Sequence, residues 1–251
     1  ETQLAVEADL KLGQRGGIHV DDQMRTNDPK IWAVGDAVEV RDIVTGAYGL
    51  LPLAGPANRQ GRVAADAIFG RPARFRGVQG TAVCGIFTMV AATTGASEKV
   101  LKRLGRDYGK VYLHPGHHVN YYPGAHPIDI KLLFDTKDGR VLGAQAVGEA
   151  GVEKRIDVVA MAIQRQATVF DLEEAELCYA PQFGAAKDPV NLAGMVAANM
   201  LRGDAPLAHW QEANNDEALV LDVRDRDEFD DAHWQGALNI PLHELRARLD
   251  E

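Results

Sequence analysis

Residues 178–202, CYAPQFGAAKDPVNLAGMVAANMLR, decide how the chain is read. The first part is a loop, because Pro181 and Gly184 interrupt any regular pattern. Tyr179 and Phe183 sit there among small residues. A helix then begins. The Asp188 carboxylate can accept from the first free N–H groups, and Pro189 fits the first turn, where its missing N–H would be unpaired anyway. Val190, Ala193, Ala197 and Met200 recur at helical spacing, and Gly203 can end the run. Two aromatics on a rigid loop before a capped helix either reach into a neighbouring site or lie in the core under the loop; spacing leaves both readings open.

Composition bounds the rest. With 251 residues, 46% hydrophobic and 25% charged, the chain suits one or two ordinary α/β domains. No uninterrupted apolar stretch reaches the ~18 residues of a membrane span, and the N-terminus is not a signal peptide. Two cysteines, Cys84 and Cys178, form no disulfide framework and fit a reducing cytoplasm. Each lacks a Lys, Arg or His neighbour that would lower its pKa, so both read as inert, Cys84 in an apolar strand and Cys178 at an apolar helix end. The first residue is Glu and the last nine are HELRARLDE, so both ends read as cuts through a longer protein. Residues 1–203 balance 23 acidic against 23 basic side chains, whereas residues 204–251 hold 13 acidic and 4 basic. That step places a domain boundary near Gly203–Asn215. No basic patch interleaved with aromatics argues for nucleic acid.

Along residues 1–75, GGIHVDD (16–22) reads as a short strand or turn. In TNDPKIWAVGDA (26–37), Asn27-Asp28-Pro29 makes a turn, Ile31–Val34 a short buried strand, and Gly35-Asp36 its carboxyl end. Ligands of open α/β sheets bind at that edge, and a carboxylate there can accept from a ribose or polyol; alternatively Asp36 caps the next turn. LPLAGPANRQGRVAADAIFG (51–70) predicts a helix over Ala57–Phe69 after a tight Pro52, Gly55, Pro56 entry. Small residues at its start admit a planar ligand, and its free N–H groups favour negative charge. No strand–GxGxxG–helix unit occurs, since Gly13, Gly16 and Gly17 have the wrong spacing.

Residues 76–203 show strands in meander order followed by helices. GTAVCGIFTMVAATTG (80–95) is β-rich, Ser97 starts a short helix, and IDIKLLF–DTKDG–RVLGAQAVG (128–148) is a hairpin turning at Asp138-Gly139. In EKRIDVVAMAIQRQA (153–167), Ile156, Val159 or Ala160, and Ile163 share a helix face. DLEEAEL (171–177) opens with Asp171 in a capping-box pattern with Glu174. His114, His117, His118 and His126 cluster without carboxylate or cysteine ligands at useful spacing, so they read as polar positions of a Pro/Gly-rich strand end and no metal is assigned. In the tail, EALVLDVRDRDEFDDAHWQGALNIPL (217–242) reads as strand, turn, short helix, strand, or else as a solvated acidic segment.

These motifs, in this order, resemble the flavoprotein pyridine-nucleotide disulfide oxidoreductases, in the branch of coenzyme A-disulfide reductases and NADH oxidases that carries a C-terminal rhodanese domain. TNDPKIWAVGDA resembles that family's second FAD motif. YYPGA (121–125) stands as in the family. CYAPQFGAAKDPVN occupies the place of the HxxxxE dyad of glutathione-reductase-like relatives, and LVLDVR with GALNIP resembles a rhodanese opening. The resemblance implies three parts: residues 1–75 as the end of an FAD-binding α/β domain, 76–203 as an α+β dimerisation domain with an antiparallel sheet and helices, and 204–251 as a truncated α/β rhodanese-like start. It implies that Asp36 binds the ribityl chain of FAD and that Leu53, Ala54 and Gly55 meet the flavin. In the implied homodimer, Tyr121 or Tyr122, together with Tyr179, approach the partner's reactive cysteine and the disulfide, and Phe183 nears the partner's flavin. A phenol there can donate a proton or hydrogen bond. Asp222 and Arg224 would brace a rhodanese loop, with His233 and Asn239 as framework and the sulfur-carrying cysteine beyond residue 251. The implied activity is FAD- and NAD(P)H-dependent reduction of disulfides or persulfides, coenzyme A disulfide first, through an upstream cysteine. The alternatives are a non-catalytic homodimerisation module, inactive alone, and a sulfurtransferase. The electron acceptor, and NADH against NADPH, stay open.

Overall fold

The alternating apolar residues of IDIKLLF and RVLGAQAVG build the centre of the molecule, a five-stranded antiparallel sheet. The computed structural model describes residues 2–210 and 219–250. The chain divides into two compact units, Glu1–Asp204 and Ala205–Glu251. In the first, strands β4 (Ala82–Ile86), β5 (Met89–Gly95), β6 (Gly109–Leu113), β7 (Ile128–Phe134) and β8 (Val141–Gly148) run in the order β4-β5-β8-β7-β6. β4–β5 and β7–β8 are hairpins of consecutive strands. β5 joins β8 from Val90↔Gly148 to Gly95↔Gly143.

Ile128, Ile130 and Leu132 point to one face, where Val111, Ala144 and Ala146 join them. Helices α4 (Val152–Gln164) and α6 (Pro189–Arg202) cover that face with Ile156, Val159, Ile163, Val190, Ala193 and Ala197. Alternation continues past a register irregularity at Leu133/Phe134, and because both faces of the strand are covered there, both neighbours are buried. Phe134 joins the main core, and Leu133 packs with Ala96, Leu101 and Leu142 beneath α3 (Glu98–Arg103). Ser97 caps α3 by accepting from Val100 N–H. Asp188 caps α6, Pro189 opens it, and Gly203 closes it at φ 77°.

The N-terminal part carries α1 (Gln3–Glu7) and a small sheet of β1 (Ile18–His19), β2 (Val38–Arg41) and β3 (Tyr48–Gly49), with β1 parallel and β3 antiparallel to β2. Helix α2 (Ala54–Ile68) packs Ala64 on a cluster of Val20, Met24, Val38, Val40 and Val78.

Several local expectations are corrected. Residues 31–34 form no strand; Trp32 makes one isolated bridge with Arg25, and Val34 is exposed. Helix α2 starts at Ala54 rather than Ala57, because Pro56 lies in the first turn, where no N–H is required of it. Helix α5 (Val169–Glu173) starts before Asp171; Thr168 is its cap, and Asp171 is the third helical residue that closes the box. Cys178 lies outside any helix, between α5 and α6, and both cysteines are exposed.

In the second unit, β9 (Leu221–Asp222) and β10 (Leu238–Asn239) pair in parallel around α7 (Arg226–Asp231), with α8 (Leu242–Leu245) following. This is the strand–helix–strand order read in the tail, with a shorter first strand. Part of the boundary expected near Gly203–Asn215 lies outside the described residues. Among the described residues, no helix is long and apolar enough to cross a membrane.

Candidate functional site

Two loops meet at the end of the core face. One, residues 114–127, joins β6 to β7; the other, residues 178–188, leads into α6. Val119 N–H donates to Gly184 O at 3.1 Å, tying them together. Phe183 and Gly184 N–H groups both donate to Ala180 O, which turns the second loop back on itself. The result sets the Tyr121 and Tyr179 hydroxyls 3.3 Å apart. Both rings are exposed, and Phe183 stands out from the same turn. The core reading of Tyr179 and Phe183 is therefore excluded within this chain.

The geometry separates the two adjacent tyrosines. Tyr122 turns its ring edge-on to the buried His118, 5.6 Å between centroids, while Tyr121 reaches Tyr179. The hydrogen bond to Tyr121 holds the Tyr179 phenol above its ordinary value, so the hydroxyl keeps its proton well into the alkaline range.

The second group of residues lies on the N-terminal part. Gly35 N–H donates to Gln60 Oε1 at 2.6 Å, which fixes the Gly35-Asp36 turn to the second turn of α2. Asp36 itself is exposed. Leu53, extended at φ −131°, precedes α2 without capping it. No acceptor faces the Ala54 or Gly55 N–H among the described residues, and Pro56 has none to offer. A Cβ at Gly55 would meet nothing within 4 Å. Leu53 and Gly55 border a cleft of about 430 Å³ that continues along Arg59, Gln79 and Met161. Bare amides, a positive helix end and open space suit an anionic, planar group laid against the backbone. Among the described residues, no hydrogen bond joins this group to the tyrosines, and neither tyrosine lines the cleft beside Leu53 and Gly55.

The histidines are arranged differently from a metal centre. His114 Nδ1 lies 2.6 Å from Asp129 Oδ1, and His126 Nδ1 lies 3.4 Å from Glu149 Oε2. His126 N–H donates to His117 Nδ1 at 3.0 Å. Burial pushes the His117 imidazole down, which keeps it neutral. Among the described residues, no group of three or more His, Cys, Asp or Glu is placed to hold a metal ion. In the tail, Arg224 Nη2 meets Asp222 Oδ2 at 2.7 Å, Asn239 Nδ2 donates to the Asp222 and Arg224 carbonyls, and His233 stacks on Phe229.

Sequence reasoning missed Gln60 and Arg155. Each is a polar residue on the buried side of its helix: Gln60 falls in step with Ala64 and Ala67, and Arg155 with Val152 and Val159. A long polar side chain at an apolar step of the period was the available signal.

Two family models match. Residues 1–61 match pyridine nucleotide-disulphide oxidoreductase, and residues 81–188 match its dimerisation domain. A coenzyme A disulfide reductase of Staphylococcus aureus (strain bovine RF122 / ET3-1) is 37% identical over 191 residues, which is 76% of this chain and 43% of that protein. Among solved structures, the reduced Bacillus anthracis CoADR-RHD superposes with a TM-score of 0.97 at 45% identity, over 100% of this chain and 46% of that one. An NAD-dependent persulfide reductase from A. fulgidus superposes with a TM-score of 0.93 at 40% identity, over 99% and 46%. The chain thus spans less than half the length of these relatives. Together, the two matched models and the near-complete superposition place it: the chain belongs to the pyridine nucleotide-disulphide oxidoreductase family.

Proposed function

We propose that the chain is part of an FAD- and NAD(P)H-dependent oxidoreductase that reduces disulfides or persulfides, coenzyme A disulfide first, and that works as a homodimer. The observation that carries this reading is the exposed pair of Tyr121 and Tyr179 hydroxyls, set apart from the helix end that suits a planar anion. Neither tyrosine lines the cleft beside that helix end, so a two-fold partner is the simplest way to bring tyrosines and cofactor to one substrate. The dimerisation-domain match over residues 81–188 covers both tyrosine loops.

Asp36 would hold the ribityl hydroxyls of FAD, and the Ala54 and Gly55 amides would face the flavin, which supplies two-electron transfer between nicotinamide and sulfur when bound. This chain's side chains would assist the reacting sulfur. Tyr179, kept protonated by Tyr121, donates to the leaving thiolate of the partner's substrate, Tyr122 supports the loop through His118, and Phe183 shields the neighbouring site from water. Cys84 and Cys178 are spectators in this reading, the reacting sulfur being a cysteine outside these residues. The Asp222–Arg224 brace and the Asn239 hydrogen bonds support a rhodanese-like start over residues 204–251. Residues 1–75 and 76–203 are taken as the FAD-domain end and the dimerisation domain. Two unpaired cysteines suit a reducing cytoplasm.

The test is twofold. Sedimentation should show the 251-residue chain as a dimer, without tight FAD binding or turnover on its own. The FAD-loaded enzyme carrying this chain should reduce coenzyme A disulfide with NADH or NADPH and lose that activity on Tyr179→Phe. A monomer at micromolar concentration, or a Tyr179→Phe enzyme of undiminished rate, would overturn the proposal.

A further inference from the structure

We propose that Arg155 is the positioning residue of the tyrosine pair: one buried guanidinium holds both tyrosine loops in register. The inference rests on the reading that Tyr121 and Tyr179 act together on substrate. It starts from what does not hold them. Both rings are exposed, and the only hydrogen bond described at either hydroxyl is the one they share. Their alignment therefore comes from the backbones of two loops that are 58 residues apart.

Arg155 is where those backbones converge. It is 2% exposed, on the inner side of α4. Its Nε and Nη2 donate to Asp188 Oδ1 and Oδ2 at 3.3 and 2.9 Å. The same Nη2 donates to His117 O at 2.7 Å, and Nη1 to Gly151 O at 3.2 Å. His117 lies in the Tyr121 loop, and Asp188 ends the Tyr179 loop. Asp188 is itself anchored, since its Oδ1 accepts from Val190 N–H at 3.0 Å and its own N–H donates to Asn191 Oδ1 at 3.1 Å. The first loop is thus measured from the second through one planar group whose donors have fixed directions.

Two further features fit this role. Gly151 begins α4 in the left-handed region, φ 67°, and a Cβ there would lie 2.4 Å from Arg155 Nη1. The helix start is shaped around the guanidinium. A buried ion pair is also a poor source of stability compared with apolar packing, so its place beside a core of aliphatic residues and Phe134 is better explained by the geometry it fixes. Lysine would supply charge to Asp188 but not the planar fork that reaches His117 O and Gly151 O at once.

The experiment uses the 251-residue chain with 13C at tyrosine Cζ, and NMR titration of the individual phenols. In the wild type, Tyr179 titrates above an ordinary phenol, and Tyr121→Phe sets the reference for an uncoupled Tyr179. Arg155→Lys is expected to abolish most of that displacement, as Tyr121→Phe does, while Arg202→Lys, whose guanidinium pairs with Glu173 and lies over the Phe170 ring, leaves it intact. Should Arg155→Lys not fold, the doubly neutral Arg155→Gln with Asp188→Asn keeps a cap for α6 and removes the fork, and the same loss is expected. A folded Arg155 variant whose Tyr179 titrates as in the wild type would overturn the inference. In the FAD-loaded enzyme, Arg155→Lys should lower kcat about ten- to a hundredfold with KM little changed. If the pair uncouples but Tyr179→Phe leaves kcat intact, the positioning role stands and the proposed role of the tyrosines fails.

Discussion

The hydroxyl oxygens of Tyr121 and Tyr179 lie 3.3 Å apart at the junction of two loops, and neither ring is covered by its own chain. The hydrogen bond favours the neutral phenol, so Tyr179 remains a donor to higher pH than a lone tyrosine. If the pair serves disulfide reduction, Tyr179→Phe should lower turnover by about a hundredfold. Tyr121→Phe should move the alkaline limb of the rate profile to lower pH, because the remaining phenol then loses its proton earlier. A pH–rate profile for each variant checks both outcomes.

Gln60 ties the candidate ribityl-binding turn to the helix behind it. It is 2% exposed, and its Oε1 receives the Gly35 N–H. Gln60→Leu preserves much of the volume but leaves that part-buried amide without its acceptor, at a cost of about 1 kcal/mol. Flavin retention, followed by fluorescence on dilution of the loaded enzyme, should fall along with the urea midpoint.

Glu98 gathers a basic cluster at the base of α3. Lys131 hydrogen-bonds it most strongly, with Tyr108, Lys102 and Lys110 at 2.8, 3.0 and 3.1 Å. These donors outweigh partial burial and hold its carboxyl far below the usual carboxylate range. The stabilisation is complete above the ordinary carboxylate value of 4.5 and is lost as pH falls below it. Glu98→Gln should cost about 1–3 kcal/mol at neutral pH and flatten the acid dependence of stability. Urea unfolding across the acidic range measures both.

Gly194 sits in α6, where α5 crosses it. A Cβ there would lie 2.3 Å from Glu173 N and 2.7 Å from Leu172 C. Helix propensity alone favours Gly194→Ala by about 1 kcal/mol. Backbone atoms cannot swing aside as a flexible side chain does, so the substitution should instead destabilise by about 1–3 kcal/mol. The denaturant midpoint decides the sign.

What could be read in advance was whatever the chain writes locally. Asp188, Pro189 and Gly203 mark the ends of α6 within a few positions, and the alternation of residues 128–134 and 141–148 marks the central hairpin. The Ile31–Val34 run misled because an apolar stretch becomes a strand only where a neighbouring ladder accepts it, and here Trp32 finds a single bridge. The start of α2 was misplaced because Gly55-Pro56 looks like a breaker, yet the first helical turn tolerates both.

The candidate site was legible as residue types but not as pairs. YYPGA offers two adjacent tyrosines, and only the contact with Tyr179 tells them apart. Arg155 and Gln60 find their partners 33 and 25 positions away, a separation no local pattern reports.

The β5–β8 pairing divides the large sheet into two ribbons, each made from strands that follow one another in sequence. Each ribbon can zip on its own, whereas joining them encloses α3, β6 and the Tyr121 loop in one closure whose entropy is regained only when α4 docks. Amide protons that bond across β5 and β8 should therefore exchange as a single late-forming block, leaving the sheet with a folding seam down its middle.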